Sequence, residues 1–100
     1  MLIRANMNIR YTGVMKEYER ILKALANRRR LAIISLLKKR REATVGDIAE
    51  SIKLSFTSTS KHLTMLSRVD ILDKRQQGLE VFYFMGTRIP SIAESTIVRL

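Results

Sequence analysis

The feature that most restricts this chain's fold is a change of hydrophobic period at Asp70. Before it, apolar residues recur at helical spacing. After it, they alternate as in strands. Ile71-Leu72-Asp73-Lys74-Arg75 and Glu80-Val81-Phe82-Tyr83-Phe84 read as two strands, the second rich in the aromatic and β-branched residues that pleated surfaces favour. Gln76-Gln77-Gly78-Leu79 lies between them, and Gly78 supplies the positive φ that a hairpin needs.

Upstream, four helices are predicted. Val14, Tyr18, Ile21, Leu22 and Leu25 form the apolar face of the first. Asn27 either stops it or caps the next. The second runs through Leu31, Ile34, Leu36 and Leu37 and ends in Lys38-Lys39-Arg40-Arg41, cations that suit the negative end of a helix dipole. Thr44-Val45-Gly46-Asp47 fits a capping box, after which Val45, Ile48, Ala49 and Ile52 share a face. Lys53-Leu54-Ser55 is a tight turn, and Ser55 caps a fourth helix with Thr59, His62, Leu63 and Leu66 on its inner face. Beyond the hairpin, Ser91-Ile92-Ala93-Glu94 is a second capping-box pattern. Ile92, Ala93, Thr96, Ile97 and Leu100 then line one side of a helix of about ten residues, too short to stand without docking.

The predicted fold is mainly α with a small β-hairpin, in the order α-α-α-α-β-β-α. A short helix, a tight turn and a helix with a polar outer face make a helix-turn-helix. The hairpin that follows makes it a winged helix-turn-helix. We divide the chain into an N-terminal arm (1–13), the winged domain (14–86) and a C-terminal dimerisation helix (87–100).

Composition narrows the function. With 19 Lys plus Arg against 9 Asp plus Glu, the chain carries +10 at pH 7. Such a charge points to anionic partners. There is no cysteine and one histidine, so thiol catalysis, disulfides and Cys- or His-rich metal sites are excluded. No apolar run is long enough to span a bilayer, and the basic helices lack the Trp and Phe of interfacial anchors. His62 has no nucleophile or carboxylate pair in register, so no enzyme, cofactor or metal site is expected.

The expected DNA contacts lie in two places. Near the N-terminus of the fourth helix, where side chains reach base edges, stand Phe56, Thr57, Ser58, Ser60 and Lys61. Lys61 can donate to guanine, Phe56 can pack on a thymine methyl or fold back on the core, and the hydroxyls mostly position the protein. No Asp or Glu occurs from Ser51 to Val69. On the wing, Lys74, Arg75, Gln76 and Gln77 are placed to meet the backbone or the minor groove. Tyr18, Ile21, Ile92 and Ile97, on the two helices outside the helix-turn-helix, are the expected dimer contacts. Arg28, Arg29 and Arg30 oppose the dipole at a helix start and so need partners, either phosphate or acids such as Glu17 and Glu19.

Three segments resemble the ArsR family of winged-helix repressors. Leu22-Lys23-Ala24-Leu25-Ala26-Asn27-Arg28-Arg29-Arg30-Leu31 is similar to that family's "LKALANPTRL", with Arg30 on the signature arginine. The segment from Leu54 to Leu63 is similar to "LSQSTVSRHL", and that from Arg75 to Tyr83 to "RREGRWVYY". The resemblance runs from about residue 14 to 85. It implies a homodimer that binds an operator of inverted symmetry and represses. Phe56 departs from a usual polar residue, Thr59 from a usual apolar one, and Asp70 from a frequent Gly. Thr44 and Gly46 occupy the two cysteine positions of the family's metal-binding segment "ELCVCDL". The resemblance therefore implies a metal-independent member, because soft metals need thiolate or imidazole ligands.

The expected function is a cytoplasmic, sequence-specific double-stranded DNA-binding regulator, homodimeric and repressing, with no effector named by the sequence. Two alternatives remain open here. One is an architectural DNA coater with little sequence preference. The other is a winged-helix module that docks an acidic protein.

Overall fold

A computed structural model describes residues 10–100. Most of the expected arm, with Leu2, Ile3, Arg4 and Ile9, lies outside the described residues. The elements are α1 (Gly13–Leu25), α2 (Arg28–Lys39), β1 (Ala43–Thr44), α3 (Val45–Ile52), α4 (Phe56–Arg68), β2 (Leu72–Gln77), β3 (Glu80–Met85) and α5 (Ser91–Ile97). This is the winged helix-turn-helix order, with β1 added.

Local chemistry sets most of the helix starts. Thr12, Asn27, Thr44 and Ser55 each accept a backbone N–H from the first turn of α1, α2, α3 and α4, the bond that satisfies an orphan donor. Asn27 is thus the cap of the second helix rather than only the stop of the first. The two helices of the helix-turn-helix end in the same way. Lys53 and Asp70 take left-handed φ values of 56° and 62°. The next residue in each case bonds back five positions, Leu54 to Ala49 and Ile71 to Leu66, as in a Schellman turn. Asp70 accordingly fills the place of the glycine.

The sheet order is β1-β3-β2, antiparallel throughout. The hairpin loop is tighter than expected: Gln77 pairs with Glu80, leaving only Gly78 and Leu79 between the strands. Gly78 has φ +64°, with Leu79 not in the left-handed region, the pattern of a type II′ turn. Gly86 follows β3, and a Cβ there would meet the Asp70 carbonyl oxygen at 2.6 Å. The close approach lets the Gly86 N–H donate to Ile71 at 2.9 Å and closes the base of the wing.

The core joins Ile21 and Leu25 of α1, Ile33, Ile34 and Leu37 of α2, Ile48 of α3, Leu63 and Leu66 of α4, Ile71, Leu72 and Tyr83 of the wing base, and Ala93 and Ile97 of α5. Two expectations change here. The α5 capping box does not form. Pro90 occupies the cap position with no side-chain bond, and the helix ends at Ile97. Nor is the apolar stripe of α1 one surface. It is too wide for a single burial, so Ile21, Ala24 and Leu25 enter the core while Val14, Met15, Tyr18 and Leu22 stay exposed.

Part of the positive charge is spent inside the fold. Three helix C-termini are met by a cation from another element. Arg30 donates to Lys23 and Ala24 of α1, Lys38 to Ile97 and Val98 beside α5, and Arg20 to Arg68 of α4. Free carbonyls and the negative dipole end favour cations there. Arg30 therefore turns to backbone carbonyls rather than to Glu17 or Glu19, which pair with Arg20 and Lys23. Lys38, exposed at the end of α2, is likewise held by a specific contact.

Candidate nucleic-acid interface

Helix α4 is fixed from behind. Thr59, Leu63 and Leu66 are fully buried, and α4 packs on α2, α3 and β2. Its orientation is locked by Arg30, whose Nε donates to the Ala24 carbonyl at 2.6 Å and whose Nη2 donates to Lys23 at 2.9 Å. Nη1 lies 3.1 Å from His62 Nδ1 and 3.3 Å from Met65 Sδ. A guanidinium has no acceptor, so His62 Nδ1 must accept and the proton sits on Nε2. Burial, then the charges of Arg30 and Arg29, hold the imidazole below its ordinary pKa and keep it neutral. His62 is thus a structural acceptor joining α4 to α1 and α2.

The outward face of α4 carries the residues expected to touch DNA. Phe56, Thr57 and Lys61 are exposed, and Ser58 and Ser60 are half-buried. Phe56 does not fold back on the core; it is 61% exposed. The Thr64 hydroxyl is spent on the Ser60 carbonyl at 2.9 Å. One side chain sits against its environment: Thr59 is fully buried, and its Oγ1 has no hydrogen-bond partner among the described residues.

Arg28 and Arg29 stand exposed at the start of α2, and the sequence left their partners open. Arg29 lies near enough to depress His62 of α4. Both arginines border a recess of about 400 Å³ with Ser51 and Ile52 of α3. Neither forms an ion pair among the described residues. The signal in the sequence was the uncompensated cation at a helix start.

The wing is divided by its pleat. Lys74 and Gln76 pair across from Tyr83 and Val81, while Arg75 and Gln77 pair across from Phe82 and Glu80 on the other side. Successive side chains point to opposite faces, so the four do not form one surface. Arg75 is also not a free cation. Its two Nη atoms donate to both Glu42 carboxylate oxygens, at 2.8 and 3.2 Å, and its guanidinium lies 5.1 Å from the centre of the Phe82 ring. Lys74 is the wing cation with no such partner among the described residues.

The expected dimer contacts are separated too. Ile21 and Ile97 are buried within the chain, and Ile92 packs against the same core. α5 docks on α1 of its own chain. Tyr18 alone of the four stands on an open apolar surface, with Val14, Met15 and Leu22. No helix among the described residues is long and apolar enough to cross a membrane.

Comparison with known proteins bears on this arrangement. The profile described as "Bacterial regulatory protein, arsR family" matches residues 27–74, the span from the α2 cap into β2. The chain is 36% identical over 67 residues to the transcriptional activator HlyU of Vibrio cholerae, covering 67% of this chain and 61% of that relative. It is 31% identical over 83 residues to the transcriptional repressor PagR of Bacillus anthracis, covering 83% of this chain and 82% of the relative. Among solved structures, a homodimeric winged helix-turn-helix DNA-binding domain from Mycobacterium bovis superposes with a TM-score of 0.73 at 26% identity, covering 96% of this chain and 85% of the other. These relatives are transcriptional regulators, not enzymes.

Proposed function

Because the chain belongs to the ArsR family of bacterial regulatory proteins, we propose that it is a homodimeric, sequence-specific double-stranded DNA-binding repressor. The observation that carries this reading is the outer face of α4. It presents Phe56, Thr57, Ser60 and Lys61, with no acidic residue from Ser51 to Val69. A major groove about 12 Å wide admits such a helix. Lys61 donates to guanine, Thr57 and Ser60 bond bases or phosphates, and Ser58 stands beside them at the helix start. Arg28, Arg29 and the wing residue Lys74 meet phosphates, with Gln76 on the same face of the wing as Lys74 and Gln77 on the other.

The dimer surface in this reading is the exposed stripe of Val14, Met15, Tyr18 and Leu22 on α1. Two copies pairing there set the two α4 helices about one DNA turn apart, or a multiple of it. The regulator works without metal. The chain has no cysteine and a single histidine, and that histidine's Nδ1 is already taken by Arg30. The binding partners are DNA and a second copy, and the place of action is the cytoplasm.

The test is a salt titration of DNA binding by the full chain. A dimer that neutralises roughly 6–10 phosphates loses about 10³–10⁵ in affinity between 50 and 200 mM salt. A slope near zero contradicts the reading, as does a stable complex with an acidic protein in place of DNA. Leu22→Glu, on the exposed stripe, is expected to give monomers in sedimentation and to weaken operator binding without unfolding the chain.

A further inference from the structure

We propose that Phe56 is a specificity-determining residue that reads the 5-methyl group of thymine in the major groove. The inference rests on the DNA-reading role of α4 and adds the chemistry by which it discriminates. Phe56 is the first residue of the helix and is 61% exposed. It is not needed to hold the helix start, because Ser55 already accepts the Ser58 N–H at 3.1 Å. Nor does it belong to the core, whose α4 members are Leu63 and Leu66. An aromatic side chain left in water at that position has its apolar surface available to a partner.

The rest of the face explains why an apolar reader matters. Its hydrogen-bonding capacity is small. Thr64 is already bonded to Ser60, and Lys61 is the only Lys or Arg in the first three turns of α4, Arg68 standing at its far end. The hydroxyls of Thr57 and Ser60 bond bases and phosphates alike. The floor of the major groove offers one apolar group in unmodified DNA, the thymine methyl. Side chains near the N-terminus of a recognition helix are the ones that approach it. An exposed phenyl ring at the first helical position is matched to that target.

The experiment selects a preferred duplex from random sequence with the full chain. It then replaces each thymine in turn by deoxyuridine, which removes the methyl and leaves every hydrogen-bonding group in place. Affinity is read by fluorescence anisotropy at fixed salt. Burying one methyl is worth about fourfold in affinity. Uracil at one or two positions per half-site is therefore expected to weaken binding about fourfold each, and elsewhere to do nothing. Phe56→Ala is expected to bind thymine and uracil duplexes equally while keeping the wild-type salt slope. Phe56→Leu is expected to keep a reduced preference for thymine. Specific binding with no uracil-sensitive position overturns the inference alone. So does a Phe56→Ala variant that still discriminates. Failure to select any preferred duplex overturns both the inference and the DNA-reading role beneath it.

Discussion

Two arginines each make several hydrogen bonds to other elements, and their surroundings differ. Arg30 is buried among α1, α2 and α4 and donates to two carbonyls and to His62. Arg75 lies on the exposed face of the wing, paired with Glu42 and set over Phe82. Both make several hydrogen bonds, yet they do different work. At Arg30 the Ala24 carbonyl is buried and the Lys23 carbonyl and His62 are partly so, and removing the guanidinium leaves a buried acceptor unsatisfied at a cost of about 1–3 kcal/mol. At Arg75 water and salt replace whatever is lost, and exposed pairs contribute little to stability. The buried arginine belongs to the fold. The exposed one belongs to the wing surface, where it is paired with Glu42.

The largest expected effect is on the buried side of the comparison. Arg30→Met is expected to destabilise the chain by about 3 kcal/mol in urea unfolding, because it strands the Lys23 and Ala24 carbonyls and His62 Nδ1. A change under about 1 kcal/mol would erase the distinction between the two arginines. Arg30→Lys should recover only part of the loss, since an ammonium lacks the fork that reaches three acceptors.

The next effect is smaller and of opposite sign. Thr59 carries a buried hydroxyl with no partner among the described residues. Thr59→Val keeps the shape and removes the unsatisfied group, so it is expected to stabilise by about 1 kcal/mol. A loss of stability would mean that the hydroxyl has found a partner, such as an ordered water.

Acid should act on the Arg30 cluster as well. The folded chain holds His62 below the ordinary imidazole pKa, so unfolding takes up a proton in mild acid. The stability that His62 contributes is complete above the ordinary imidazole range and is lost as the pH falls through and below that range. His62→Asn, which keeps an acceptor near the Nδ1 position, is expected to flatten that dependence. An unchanged slope would remove His62 from the cluster's energetics.

The smallest effect on stability belongs to the wing. Glu42→Gln is expected to leave the urea midpoint unchanged within error. It should tighten DNA binding and steepen its salt slope, because it frees the Arg75 guanidinium for phosphate. A large drop in the urea midpoint would show that the wing arginine also belongs to the fold.

How far each region could be read beforehand follows from the range of its interactions. The helix caps at Thr44 and Ser55, the left-handed Asp70 and the Gly78 turn involve residues a few positions apart, and local pattern finds them. β1 has two residues, too few to show a period. The Ser91 box failed because Pro90 took the cap position. The two faces of α1 look alike in sequence, and only packing against α5 and α4 decides that Ile21 goes in and Leu22 stays out. The partners of Arg30 and Arg75 lie up to 35 and 33 residues away, beyond any local signal. The outward face of α4 was legible because capping and period fixed the helix and its face together. The surroundings of Arg28 and Arg29 were not, because they depend on how α2 packs against α3.

The central claim is that the outer face of α4 reads DNA sequence, and one comparison of affinities tests it most directly. Fluorescence anisotropy of the full chain on the DNA upstream of its own coding sequence is set against a shuffled duplex of the same composition, at near-physiological salt. The account predicts a preference of about 10³ or more for the native duplex, and a loss of most of it in Lys61→Ala. Equal affinity for both duplexes, persisting after unbiased selection from random sequence, would contradict it and leave a basic protein that coats DNA without reading it.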